Sequence, residues 1–244
     1  KKTKNKKRFT WVNLAQLLTV AALLLWMQWA VDSGRVLTIF VASPTSIVEE
    51  GIKIITDGTL WPHLLLTIQE ALAGYLSAVV VGIAVGLLWT LFPVSEKYMN
   101  VFCSAIMAVP KVAILPLLIL WFGIGEMSKV FIIIIGTFVP CLLNAYNGVR
   151  LVDPDLYDVI RVLGGKRRDE IFHVCFPASF PAVFAGLQIS LSSAWTCVLA
   201  AELMNSRDGM GFLIKRGMDT HQPTLVLGGM VLIAAAAYGT SLLV

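Results

Sequence analysis

Charge is scarce in this sequence. Only 14% of its 244 residues are Asp, Glu, Lys or Arg, whereas 57% are hydrophobic. A soluble domain carries about 25% charged and about 45–50% apolar residues. So much apolar surface has no place inside a water-soluble core, and the solvent for most of the chain is therefore lipid. No stretch longer than about 35 residues lacks a membrane-grade apolar run, which excludes a separate soluble domain. Histidine is also rare. His63, His173 and His221 stand far apart and without ligand spacing, so no metal site is expected. The four cysteines, Cys103, Cys141, Cys175 and Cys197, form no CxxC pair and read as small hydrophobes. A phosphate-binding G-x-x-x-x-G-K-[ST] loop is missing too. Its nearest approach, Gly165-Lys166, has Ile160 where the first glycine belongs and Arg167 where Ser or Thr belongs. No internal repeat is visible. The net charge of +4 does not point to nucleic acid, because the basic residues flank the apolar runs.

Six of those runs are long enough to cross a bilayer as helices: residues 9–31, 64–92, 101–123, 130–149, 182–204 and 225–244. The predicted fold is thus all-α, a polytopic membrane protein of six transmembrane helices, forming a single transmembrane domain over residues 1–244. The opening "KKTKNKKRFTW" resembles the start of a signal peptide. The run behind it is too long and lacks a small-residue cleavage site, which makes it a retained anchor. The last run is still apolar at Val244, so the natural chain is expected to continue. Basic residues set the orientation. With the N-terminus inside, segments 1–8, 93–100 and 150–180 hold six, one and five Lys or Arg, twelve together. Segments 32–63, 124–129 and 205–224 hold two, one and three, six together. The excess predicts N-in and C-in. In the first outer loop, Ser43-Pro44 followed by Ile47, Ile52 and Ile55 predicts a short amphipathic surface helix.

The spans are not plain anchors. Gly74, Ala78, Gly82 and Gly86 recur every four residues after Glu70, which lines up small side chains for close helix packing, within the chain or between copies. Gly186, Ser190 and Ala194 form a similar row beside Ser192, Ser193 and Thr196. Pro110, Pro116 and Pro140 are expected to interrupt their spans. Asn144 and Asn147 add polarity near the inner end of the fourth. Lys111 falls at the eleventh position of a 23-residue span, which on a straight helix puts it about 15 Å deep, near the bilayer centre. A lysine there faces protein or water, and offers its charge to a passing oxyanion or is held structurally.

The segment 150–180 is different in kind, a densely charged loop between oily neighbours. Asp153-Pro154 marks a helix start, with Asp155 and Asp158 in its first turns. Gly164-Gly165 stops that helix. A second helix is expected from about Lys166 to Phe176, closed by Pro177. A plain connector needs only a few residues. An apolar face with a charged rim reads instead as a docking surface for a cytoplasmic protein.

These residues carry a resemblance. "YDVIRVLGGKRRDEIFHVCFPASFPAVFAGLQIS" resembles the signature coupling loop of ABC importer permeases, with Asp158-Val159-Ile160 in place of Glu-Ala-Ala and Phe176-Pro177 in place of Leu-Pro. "VPKVAILPLLILWFGIGEMSKVFIIIIGTFVPCLLNAYNGVR" resembles the third and fourth spans of the nitrate/sulfonate/taurine/bicarbonate branch of that family. "VLAAELMNSRDGMGFLI" and "ASPTSIVEEGIKII" resemble two of its outer loops. The resemblance implies a type I importer permease, a transport subunit and not an enzyme, in a bacterial-type inner membrane. It implies a second permease copy or paralogue, two cytoplasmic ATP-binding subunits that hold ATP and Mg, and an extracytoplasmic solute-binding protein; this chain holds no cofactor itself. Asp158, Val159, Ile160, Arg161, Leu163, Gly164, Gly165, Arg167 and Arg168 would meet the ATPase subunit. Lys111, Asn144, Ser193, Trp195 and Glu202 are the candidate path. The solute expected is a small anion, with an aromatic carboxylate or vitamin precursor as the alternative. A proton-coupled secondary transporter would need a membrane-embedded acid pair; Glu70 and Glu202 are the candidates, and neither has an evident partner in the sequence.

Overall fold

The computed structural model describes residues 3–38, 41–90 and 96–244; side chains of 3–10, 12, 96 and 97 are outside the description. Its described residues are helical, without strands. In chain order the helices are α1 (Thr3–Asp32), α2 (Pro44–Thr56), α3 (Leu60–Trp89), α4 (Glu96–Ala108), α5 (Lys111–Phe122), α6 (Glu126–Arg150), α7 (Pro154–Val162) and α8 (Arg167–Asp169). A π-helical stretch (Glu170–Cys175), α9 (Phe176–Asn205), α10 (Met210–Asp219) and α11 (Pro223–Ser241) follow.

Five spans are long and apolar enough to cross a membrane: Asn13–Asp32, Leu60–Trp89, Glu126–Arg150, Arg167–Asn205 and Pro223–Ser241. The expected third span departs from a rod. It is the pair α4 and α5, bent by 85° at residues 109–110. Counted as one crossing, it makes six. Pro110 has no N–H to continue α4 and excludes α conformation at Val109, so α5 restarts from Pro110 as its N-cap. A depth of 15 Å for Lys111, which assumed one straight helix, therefore does not hold. Pro116 and Pro140, expected to interrupt, lie inside continuous helices. Near Pro140, the Ser190 hydroxyl of α9 donates to the Thr137 carbonyl (3.3 Å), a bond between the two helices; the carbonyl that lacks the proline's donor is that of Gly136. Pro177 does not close a helix either. The chain runs helically from Arg167 to Asn205. The i→i+5 ring ending in Phe176 N–H to Ile171 O widens the turn just before the proline, and Pro177 then enters α9 without ending the helical stretch.

The helices cluster in two units. One holds residues 62–212 and 233–244. Its centre is α6, with thirteen buried residues. Gly74, Gly82 and Gly86 of α3 lie directly against α6: a Cβ on Gly82 would stand 2.9 Å from Cys141 Cβ, and one on Gly86 3.0 Å from Ala145 Cβ. The small-residue row is thus a seam within the chain. On the other side, Gly186 admits Asn144, and Gly148 admits Ala182 and Ser179. The other unit holds residues 1–61 and 213–232. There the Ser43 hydroxyl caps α2 by accepting from Ser46 N–H (3.2 Å). Val48, Ile52 and Ile55 of α2 are exposed at helical spacing, the apolar stripe of a surface helix, and Ile54 is buried. Gln28 accepts from Thr45 N–H and Oγ1–H (3.3 and 3.2 Å), which ties α1 to α2.

Candidate functional site

The break at Pro110 makes Lys111 the first residue of α5 and swings its side chain across α6 toward α9. Gly136 makes room, since a Cβ there would collide with Cys197 Sγ and crowd Lys111 Cδ (3.3 Å). Lys111 Nζ donates to Ser193 Oγ at 3.0 Å. Around this pair opens a cavity of about 250 Å³. Ser192, Ser193 and Thr196 line it together with Leu115, Ile132 and Ile189, and the Thr196 hydroxyl is turned back onto the Ser192 carbonyl (2.9 Å). No carboxylate is among the described lining residues. One cation and the Ser192 and Ser193 hydroxyls beside apolar side chains suit an oxyanion with a short hydrocarbon part: the polar groups for its oxygens, the apolar side chains for the remainder.

The other candidate path residues have internal partners. Asn144 Nδ2 donates to the Pro140 carbonyl (2.9 Å), and buried Trp195 donates from Nε1 to Thr240 Oγ1 (2.9 Å). Glu202, fully buried, accepts from the Thr67 hydroxyl (2.6 Å) and from Gly211 N–H (2.7 Å). The fold therefore brings together Lys111 and Ser193, and places Asn144, Trp195 and Glu202 elsewhere. The reading of Glu70 and Glu202 as partnerless is overturned. Glu70 forms a buried ion pair with Lys129, which also donates to Ser206 Oγ (3.4 Å). Asn205 Nδ2 donates to Ser128 Oγ (2.8 Å), and His63 Nδ1 accepts from Gly209 N–H (3.0 Å). Lys129 and Thr67 were not singled out from sequence as partners of these carboxylates. Their signal was available only in part, as one lysine shortly before a long apolar run.

The charged segment 150–180 is an elbow. Asp153 caps α7 by accepting from Asp155 N–H (3.0 Å), with Pro154 in the first turn. At the other end Gly164 has φ +77°, Gly165 N–H reaches the Ile160 carbonyl (2.9 Å) and Gly164 N–H the Arg161 carbonyl (3.0 Å), a Schellman termination. Gly165 cannot carry a side chain, since a Cβ would strike Ile160. Arg161 bridges the elbow, with Nε donating to Glu170 (2.7 Å) and an NH donating to Asp158 (3.2 Å). Lys166 N–H donates to Asp169 (2.8 Å), starting the second helix. Arg167 is exposed, and Arg168 sits 5.7 Å over the Phe172 ring. Burial, followed by hydrogen bonding with Cys175, pushes the Tyr157 phenol up to about 12, so it stays neutral in the joint. Val159, Val162 and Leu163 are exposed, Val162 to 86%. Ile160 is half-buried against the glycines. The result is an apolar surface on a fixed bend with a charged rim, the chemistry of a protein docking site.

The chain is similar to several known proteins. The chain is 33% identical over 96% of its length to the putative aliphatic sulfonates transport permease SsuC of Bacillus subtilis, covering 84% of that protein. It is 30% identical over 89% of its length to the taurine transport permease TauC of Escherichia coli, covering 81%. To the riboflavin transport permease RibX of Chloroflexus aurantiacus it is 29% identical over 97% of its length, covering 90%. In fold it is similar to the inward-facing MetNI methionine ABC transporter, with a TM-score of 0.54 at 18% identity over 73% of this chain and 88% of the other. Residues 78–244, which contain the Lys111 cavity, the elbow and the long helix behind it, match the family model described as binding-protein-dependent transport system inner membrane component, and the chain belongs to that family of ABC importer permeases.

Proposed function

We propose that the chain imports a small organic oxyanion of the sulfonate and taurine class, and that Lys111 and Ser193 line its path. The observation that carries this reading is the cavity that sets one ammonium and two serines beside apolar side chains, with no carboxylate among its described lining residues. The names of the two relatives SsuC and TauC support it. In this reading the N- and C-termini lie in the cytoplasm, and the permease works as a homodimer or beside a paralogue. Two ATPase subunits bind ATP and Mg and dock on the elbow through Asp158, Val159, Ile160, Arg161, Leu163, Gly164, Gly165, Arg167 and Arg168. A solute-binding protein delivers the anion from outside. ATP closes the ATPase subunits, the elbow moves with them, and the pathway turns from inward-open to outward-open; hydrolysis resets it. Asn144, Trp195 and Glu202, with internal partners of their own, stay out of the path in this reading.

The test is uptake of labelled ethanesulfonate and taurine by the complex in liposomes. Lys111→Met is expected to lower uptake at least tenfold, with assembly and basal ATP hydrolysis within twofold of wild type; Lys111→Arg retains part of the activity. Wild-type uptake by Lys111→Met, or disassembly of the complex, refutes the path. The riboflavin relative favours a second reading, an aromatic vitamin precursor as solute. Uptake of riboflavin in place of either sulfonate decides for it.

A further inference from the structure

The buried polar groups around Glu202 take no part in the path, yet they sit at a telling place. From Arg167 to Asn205 the chain is one continuous helical stretch of 39 residues, about 58 Å long at 1.5 Å per residue. Its beginning is half of the elbow. Its last two turns carry Glu202 and Asn205, both buried. Each holds a different neighbour. Glu202 accepts from Thr67 of α3 and from Gly211 N–H in the first turn of α10, while Thr67 Oγ1 also accepts from Met210 N–H (2.9 Å). Asn205 donates to Ser128 of α6, and the next residue, Ser206, accepts from Lys129, the partner of Glu70. The turn is shaped around the carboxylate: Gly209 has φ +105°, and a Cβ on Gly209 or Gly211 would run into Glu202. Apolar side chains would fill this space without the cost of burying charge. Hydrogen bonds add direction. They fix where the end of one helix stands relative to three others.

We infer that Glu202, seated on Thr67 and the Gly209–Gly211 turn, is a positioning residue that carries displacement of the elbow to the far end of the long helix and into the turn 206–211. The inference rests on the transport cycle proposed above, and it makes a claim that solute specificity does not touch. Movement of the elbow pulls or turns α9; the Glu202 link makes the turn follow, and the Glu70–Lys129 pair gives α3 and α6 a common anchor against it. Without the link α9 moves and the turn does not.

The experiment reads that movement directly and needs no solute. In the whole complex, with the four native cysteines replaced, Arg207→Cys in the exposed part of the turn is labelled with a maleimide, nucleotide-free and after trapping with ATP, Mg and vanadate. The intact clamp is expected to show at least a fivefold difference in labelling rate between the two states. Glu202→Gln places an amide NH₂ or carbonyl where a carboxylate served both Thr67 and Gly211, and is expected to cut the difference below twofold; Thr67→Val does the same, while Thr67→Ser, which keeps the hydroxyl, retains it. The proposal is overturned if the intact clamp shows no nucleotide response, if Glu202→Gln keeps it, or if Thr67→Ser is as damaging as Thr67→Val. It is also overturned if Glu202→Gln and Thr67→Val both fail to assemble, because the network is then a folding element only. Failure of ethanesulfonate and taurine uptake with the labelling response intact sinks the solute assignment and leaves the clamp standing.

Discussion

Replacing Gly82 by leucine tests where the small-residue seam lies. A methyl group alone, built on Gly82, stands 2.9 Å from Cys141 Cβ and 3.0 Å from the Phe138 carbonyl oxygen. Favourable carbon contacts lie at about 3.5–4.0 Å, so α3 and α6 must part by roughly 0.5–1 Å even for alanine. That displacement also loosens the seats of Gly74 against Ile133 and Gly86 against Ala145 on the same face. Overpacking of this kind costs about 1–3 kcal/mol for small increments, and leucine adds three more carbons with α6 backbone in the way. We expect Gly82→Ala to cost about 1–3 kcal/mol and Gly82→Leu more than about 3 kcal/mol, a drop in melting temperature of about 6 °C or more. The assay is thermal unfolding of the purified permease in detergent, followed by tryptophan fluorescence. Val81→Leu is the control, because Val81, next to Gly82 on the same helix, is 52% exposed. If Gly82→Leu melts like wild type while the complex loses its second permease copy, the seam lies between subunits and the packing of α3 on α6 within one chain is wrong.

Two further substitutions probe the charges and the elbow. Lys129→Met strands the Glu70 carboxylate, whose side chain is 4% exposed, and is expected to destabilise by about 3–5 kcal/mol; Glu70→Leu with Lys129→Met together restores most of the loss, as read by denaturation in detergent. Gly164→Val places a β-branched residue at φ +77° in open space, so the penalty of about 1–2 kcal/mol is conformational and not steric; recovery of the ATPase subunits with the permease is expected to fall, less so for Gly164→Asn, and undiminished recovery for Gly164→Val refutes the elbow as their dock.

Much of the fold was legible because its strongest signals are local. Hydropathy alone marks every span that the structure contains, since a helix in lipid must bring its own twenty apolar residues. Asp153-Pro154 and Gly164-Gly165 give the bounds of α7 almost to the residue, because an N-cap acceptor and a left-handed stop act within one turn. The Lys111–Ser193 pair was half legible. Each residue stood out as a polar group in an apolar run, but 82 positions separate them and only the fold closes the gap. The partners of Glu202 and Glu70 lie 135 and 59 positions away, Thr67 and Lys129 respectively, and no periodicity connects them.

The prolines show the limit most clearly, because one residue type meets different fates. Pro110, Pro116, Pro140 and Pro177 each lack the same donor, and each was read as a break or a stop. Pro110 stands where one helix ends and the next begins, with a bend of 85° between them. Pro140 lies buried in the middle of α6, and the helix continues past it. Pro177 follows a stretch whose hydrogen bonds already span five residues, so its ring fits without ending the helix. Missing donors are written in the sequence; whether the helix continues past them is decided by the structure around them. The functional consequence differs accordingly. The break at Pro110 turns Lys111 toward Ser193, and the unbroken passage through Pro177 leaves the elbow and Glu202 on a single helical stretch.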